Sequence, residues 1–210
     1  MSVFAEGENT KTVYITISDA GQIQFAKDNI TGMARIPIEV PLDAKLDQVI
    51  HKVHVDYHKN GEAGYSEALG FYSKFWGKET YNIGYFLNGK MTDTANTTEI
   101  SNNDEVDAFI YKNYKTDKYS KFDKRSATVT VGENLTLTLT GHGIFDTSFK
   151  PIEGAKLLLD DCTMGIPCDG GNNFITDKNG NITISFPKAG KYSISAQMPE
   201  SLSFAITAPI

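Results

Sequence analysis

Asp47, His51, His54 and His58 recur within one stretch of the chain at spacings that place them along one flank of a helix. Histidines three or four residues apart let two imidazoles share a zinc, nickel or copper ion. No glutamate stands between them as a zinc hydrolase needs, and Asp47 to His58 spans three helical turns. The expected state of His51, His54 and His58 is therefore a solvated polar flank without metal. A second concentration of chemistry follows at once. Tyr65, Phe71, Tyr72, Phe75, Trp76, Tyr81, Tyr85 and Phe86 are interleaved with glycines, more ring surface than one element can turn inward. Rings with polar tips suit planar or sugar ligands, so Tyr72, Trp76, Tyr81 and Tyr85, with Asn88 of the following turn, form the expected ligand-binding set. Gly77 and the flanking Lys74 and Lys78 place Trp76 at a strand end or loop reaching solvent.

Other candidates carry less. Cys162 and Cys168 enclose five residues with no histidine nearby in sequence, which lacks the second ligand pair of a zinc site. In an oxidising compartment they would close a local disulfide; elsewhere they would be reduced thiols. Asp177, Asn179 and Asn181 alternate like the start of a calcium loop, but Gly180 stands fourth and Lys188 twelfth, where such a loop needs glycine sixth and a carboxylate twelfth. Asn179-Gly180 reads as a hairpin turn. There is no Gly-x-Ser-x-Gly elbow, no His-Glu-x-x-His and no phosphate-binding glycine loop, so neither catalysis nor a cofactor is expected.

These residues must be held by a chain of 210 residues with 40% hydrophobic and 11% aromatic content, enough for one core or two. The net charge of −6 offers nucleic acid no overall attraction. Lys112 to Arg125 alone runs the other way, with a local charge of +4, and reads as a solvated linker. No apolar stretch approaches the roughly 18 residues of a membrane span, so no membrane insertion is expected. The opening MSVFAEGENT is too short and polar for a signal peptide, so a secreted chain would carry one ahead of Met1.

Periodicity divides the chain. VYITI (13–17) and ARIPIEV (34–40) alternate as strands, the second an edge strand because of Pro37. Leu46, Val49, Ile50, Val53 and Tyr57 make one apolar helical stripe, and Gly61 follows as a stop. Strands are expected over 81–87, ending in the Asn88-Gly89 hairpin signal, and over 105–114. After Arg125 the pattern becomes short strands at 8–12-residue spacing: SATVTV and NLTLTLT around a Gly132-Glu133-Asn134 turn, then AKLLLDD, NFITD, NITISF, KYSISA and LSFAITA.

Two family resemblances attach to these residues. Leu46 to Tyr111, with Gly84-Tyr85-Phe86-Leu87-Asn88-Gly89 and Asp104-Glu105-Val106, resembles bacterial domains similar to the C-terminal domain of transcobalamin and intrinsic factor, which implies a β-grasp. Tyr85 stands where that family more often has Trp, and Asn103 where it usually has Gly. Pro151 to Ala196 resembles the Ig-like domains of bacterial surface proteins. The resemblances imply an α+β β-grasp-like domain over 1–115, a basic linker over 116–125 and an all-β Ig-like sandwich over 126–210. They imply a non-catalytic secreted or cell-surface protein that recognises a small molecule, glycan or protein through its aromatic face. A corrinoid is the family's ligand, but its large helical partner domain has no counterpart in a chain of this length. The alternative is a structural adhesin or stalk segment whose aromatics bury against a neighbouring domain.

Overall fold

A computed structural model describes residues 9–159, 174–198 and 205–208, the last as backbone alone. The fold is β-rich, with several sheets and one α-helix among the described residues.

The first half builds on β1 (Thr10–Asp19), β2 (Gln22–Ile23) and β3 (Ile36–Pro41). They are followed by α1 (Leu46–Tyr57), a short 3₁₀ turn (Gly61–Gly64), and the hairpins of β4 (Ser66–Ala68), β5 (Phe71–Phe75) and β6 (Lys78–Glu79). β7 (Ile83–Leu87), β8 (Lys90–Met91) and β9 (Glu105–Ile110) complete it. β1 lies at the centre, pairing parallel with β9 and antiparallel with β3, and β9 continues to β7 and β8. Among the described residues β3 pairs only with β1, so Pro37 sits on an edge as expected, where its missing N–H removes no ladder bond. The helix lays Leu46, Val49, Ile50 and Val53 on Val13, Ile15 and Ile17 of β1 in one buried cluster. Its first amides need no side-chain cap, because the carbonyls of Thr98 and Ala95 accept from Leu46 and Asp47 at 3.1 Å each. Buried Lys11 ties the helix entry to that loop, donating to Ala44 O at 2.9 Å and Ile100 O at 2.6 Å.

The second half contains β10 (Lys118–Phe122), β11 (Asn134–Gly143), β12 (Lys150–Pro151), β13 (Lys156–Leu159), β14 (Asn181–Ser185), β15 (Ile194–Gln197) and β16 (Ala205–Ala208). β11 is the hub, antiparallel to β10, β12 and β14, while β13 pairs with β15 and β10 runs parallel to β16. Alternate residues Leu135, Leu137 and Leu139 of β11 meet Ile182, Ile184, Leu157 and Ile194 in a second buried cluster. The Asp177–Gly180 segment is a turn. Asp177 Oδ1 accepts from the Asn179 and Asn181 amides at 2.8 Å, so that carboxylate oxygen is occupied by its own loop.

Two expectations are corrected. SATV of 126–129 does not form a strand, and Val131 is exposed. The segment expected as a solvated basic linker over 116–125 contains β10, in which Tyr119, Ser120 and Phe122 are buried. The physical reason lies in β7 and β9. Each is apolar on both faces: Tyr85, Ala108 and Ile110 turn toward α1, whereas Phe86 and Phe109 turn the other way and need a cover. β10 supplies it.

Candidate functional site

The helix and the β5–β6 hairpin assemble the expected aromatic set, but as a packed cluster. Tyr72, Trp76 and Tyr85 are only 4%, 8% and 6% exposed, so the prediction that Trp76 reaches solvent is wrong. Trp76 and Gly77 form the hairpin turn, with φ of 45° and 78°. A left-handed φ suits glycine and costs a bulky residue, so Trp76 must be held there. Its N–H donates to His54 Nε2 at 3.0 Å, and its ring meets those of His54 and His58 at centroid distances of 5.2 and 5.0 Å. The Gly77 amide donates to Gly64 O at 2.7 Å, which closes the hairpin onto the 3₁₀ turn that follows the helix. Gly64 is required there, since a Cβ on it would collide with the His58 ring.

This packing also overturns the solvated histidine flank. His51 remains exposed, beside the Tyr65 hydroxyl and 3.5 Å from Glu62, but His54 and His58 are buried. His54 uses both ring nitrogens: Nδ1–H donates to Ile50 O at 2.8 Å and Nε2 accepts from Trp76. Burial pushes it down to about 4, with the neighbouring His58 and His51 acting the same way against the Ile50 bond. Burial likewise lowers His58, whose Nδ1 accepts from the Asn60 amide at 3.2 Å. A neutral imidazole with both nitrogens bonded to protein offers no lone pair to a metal or a substrate proton. Among the described residues, no group of three or more His, Cys, Asp or Glu is placed to hold a metal ion.

The remaining expected residues separate from the cluster. Tyr81 is 82% exposed, past the end of β6. Asn88 sits in the β7–β8 turn with φ of 51°, and its amide is spent on the fold. Nδ2 donates to Asp104 Oδ1 at 2.8 Å and Oδ1 accepts from the Glu105 amide at 2.9 Å. Cys162 and Cys168 lie outside the described residues.

A constellation that sequence reasoning missed lies where the two halves meet. The Tyr119 ring of β10 stacks on Phe86 of β7, centroids 3.9 Å apart and planes 6° from parallel. Its hydroxyl donates to Asp107 Oδ2 at 2.6 Å, inside the interface. Arg125 reaches both acidic residues of β9, with Nη2 3.6 Å from Asp107 and Nε 3.1 Å from Glu105. Arg35 closes the far side of Glu105 at 2.9 Å. Burial pushes the Asp107 carboxyl above its usual range, opposed by Arg125 and the Tyr119 hydroxyl. The two neighbouring carboxylates, held by two arginines and a phenol, tie β9 to β10 and to the segment after it. One signal for it was present: an aspartate sits inside the apolar run VDAFI.

Concave surface occurs elsewhere. A cleft of about 400 Å³ opens at the edge of the second half, between 126–131 and 186–194. A smaller hollow of about 360 Å³ lies between β3 and α1 beside His51. No protein-family model, curated protein or solved structure matches the chain.

Proposed function

We propose that the chain is a non-catalytic structural segment of a secreted or cell-surface protein, with a β-grasp-like first unit and an Ig-like second unit fixed in one orientation. The observation that carries this reading is the junction. Tyr119 lies flat on Phe86 while hydrogen-bonding a buried carboxylate that Arg125 also pairs. A flexible tether between a binding domain and its spacer would have no use for such a contact, because inter-domain motion is the ordinary outcome unless the interface is apolar and well packed. A ligand face built from Tyr72, Trp76 and Tyr85 loses its support, since those rings are spent on the core.

The parallel β1–β9 pair with a helix on one face, and the antiparallel β11 hub beside β13–β15, support the two unit assignments. The location is tested by treating intact source cells with a membrane-impermeant amine reagent. Exposed lysines such as Lys90 and Lys118 become labelled if the chain stands outside the cell; protection until lysis overturns the reading.

A further inference from the structure

The chain holds three Asn-Gly pairs, Asn60-Gly61, Asn88-Gly89 and Asn179-Gly180, and in each the glycine has a left-handed φ. Without a Cβ, glycine leaves its amide nitrogen open to the side chain before it. The same reaction is therefore available to each pair. The glycine nitrogen bonds to the asparagine Cγ, the Cγ–Nδ2 bond breaks, and the amide proton leaves with that nitrogen as ammonia. Water then opens the succinimide at either carbonyl to give aspartate or isoaspartate. We propose that Asn60-Gly61 is the site at which the folded protein modifies itself in this way, and that conversion there loosens the hold on the Trp76 hairpin.

The asparagine Cγ must swing over the next amide, so the ties on the carboxamide and on the glycine set the rate. Asn88 is tied by its side chain: Nδ2 donates to Asp104 Oδ1 at 2.8 Å and Oδ1 accepts from the Glu105 amide at 2.9 Å. Asn179 is restrained through its glycine. Gly180 is buried, its amide donates to Asp177 O and its carbonyl accepts from Leu139, both at 2.8 Å. A Cβ on Gly180 would fall 2.2 Å from Leu139 O, so this glycine moves only if the turn parts from β11.

Asn60 differs on both counts. It is exposed and, among the described residues, bonded through its main chain alone, to His58 Nδ1 at 3.2 Å and to the Ala63 amide at 3.1 Å. Gly61 has open space where a Cβ would stand, and its amide is held by one turn bond, to His58 O at 2.9 Å. Such a bond at a helix end opens locally with the least disturbance to the fold. The position also matters, because it joins α1 to the 3₁₀ turn. Gly64 of that turn accepts from Gly77, and the His58 ring fills the space beside it. Isoaspartate would add a methylene to the main chain at this joint, and either product sets a carboxylate near buried His58.

The test is incubation of the whole chain at pH 8.5 and 37 °C, with isoaspartate located by an isoaspartate-specific methyltransferase and peptide mapping. Position 60 should convert about tenfold or more faster than 88 or 179, the scale of first breaking a charge-assisted hydrogen bond. In guanidinium chloride, where only the shared dipeptide remains, the three rates should draw together. The converted form, separated by ion exchange, should let iodide quench Trp76, the sole tryptophan, more than in the parent. Conversion at 88 or 179 as fast as at 60 in the folded chain, no isoaspartate at 60, or the same ranking after unfolding would overturn the site. Unchanged quenching in the converted form would overturn its coupling to the hairpin.

Discussion

Acidification should unlock the first unit through His54. With both ring nitrogens bonded and 0% exposure, this side chain can accept a proton at Nε2 only by giving up the Trp76 amide. Folding carries it from an ordinary value of 6.5 down to about 4. Because the folded value lies below the unfolded one, the unfolded chain binds more protons between the two. Stability is therefore full above pH 6.5 and drains away as pH falls to about 4. At 1.36 kcal/mol per pH unit the loss is about 3 kcal/mol, a large part of the 5–15 kcal/mol that holds a typical domain. Asp28 and Asp146, held below 3.8 mainly by amide hydrogen bonds, and Asp123, lowered by Thr138 and Lys124 against its desolvation, act in the same sense at lower pH. Raised Asp107 opposes His54, gaining its proton more readily when folded. Urea unfolding at pH 7 and pH 4.5, compared between the parent and His54→Gln, cancels these shared contributions. The parent should lose roughly 2–3 kcal/mol more than the variant over that interval. An equal loss in both proteins, or an NMR titration placing His54 near 6.5, would refute the reasoning.

Trp76→Ala removes a ring packed against two histidines and should cost about 3–5 kcal/mol; blue-shifted parent emission that iodide does not quench checks the burial directly. Tyr119→Phe keeps the stack on Phe86 but removes the hydroxyl that donates to the buried Asp107 carboxyl, leaving it Arg125, and urea melts should register a loss of about 1–3 kcal/mol. Native-state trypsin should spare Lys118 and Lys121, because β10 is paired on both sides by β11 and β16, and mass spectrometry of early fragments would expose any cut there.

The helix, the Pro37 edge strand and the Asn88-Gly89 hairpin are legible because each rests on local chemistry: a 3.6-residue stripe, a missing donor, a left-handed turn. Leu69-Gly70 and Trp76-Gly77 form turns of the same left-handed kind, yet neither Leu nor Trp announces one. Trp76 adopts it only because His54, distant in sequence, holds its amide. The lysines around Tyr119 misled for a related reason. Lys121 keeps its ammonium 4.4 Å from the Phe149 ring while its neighbours in β10 are buried, so a charge-rich segment can still be a covered strand. Burial of the 65–86 aromatics depended on how the hairpins fold back over α1, and composition alone does not contain that tertiary fact.

Whether the two units move as one body is settled by residual dipolar couplings of backbone amides in a weakly aligned sample. The account predicts that a single alignment tensor fits β1, β7 and β9 together with β11 and β14, and that Tyr119→Ala combined with Arg125→Ala splits it into two. Two tensors of different magnitude or direction in the parent chain would contradict the fixed junction on which the proposed function rests.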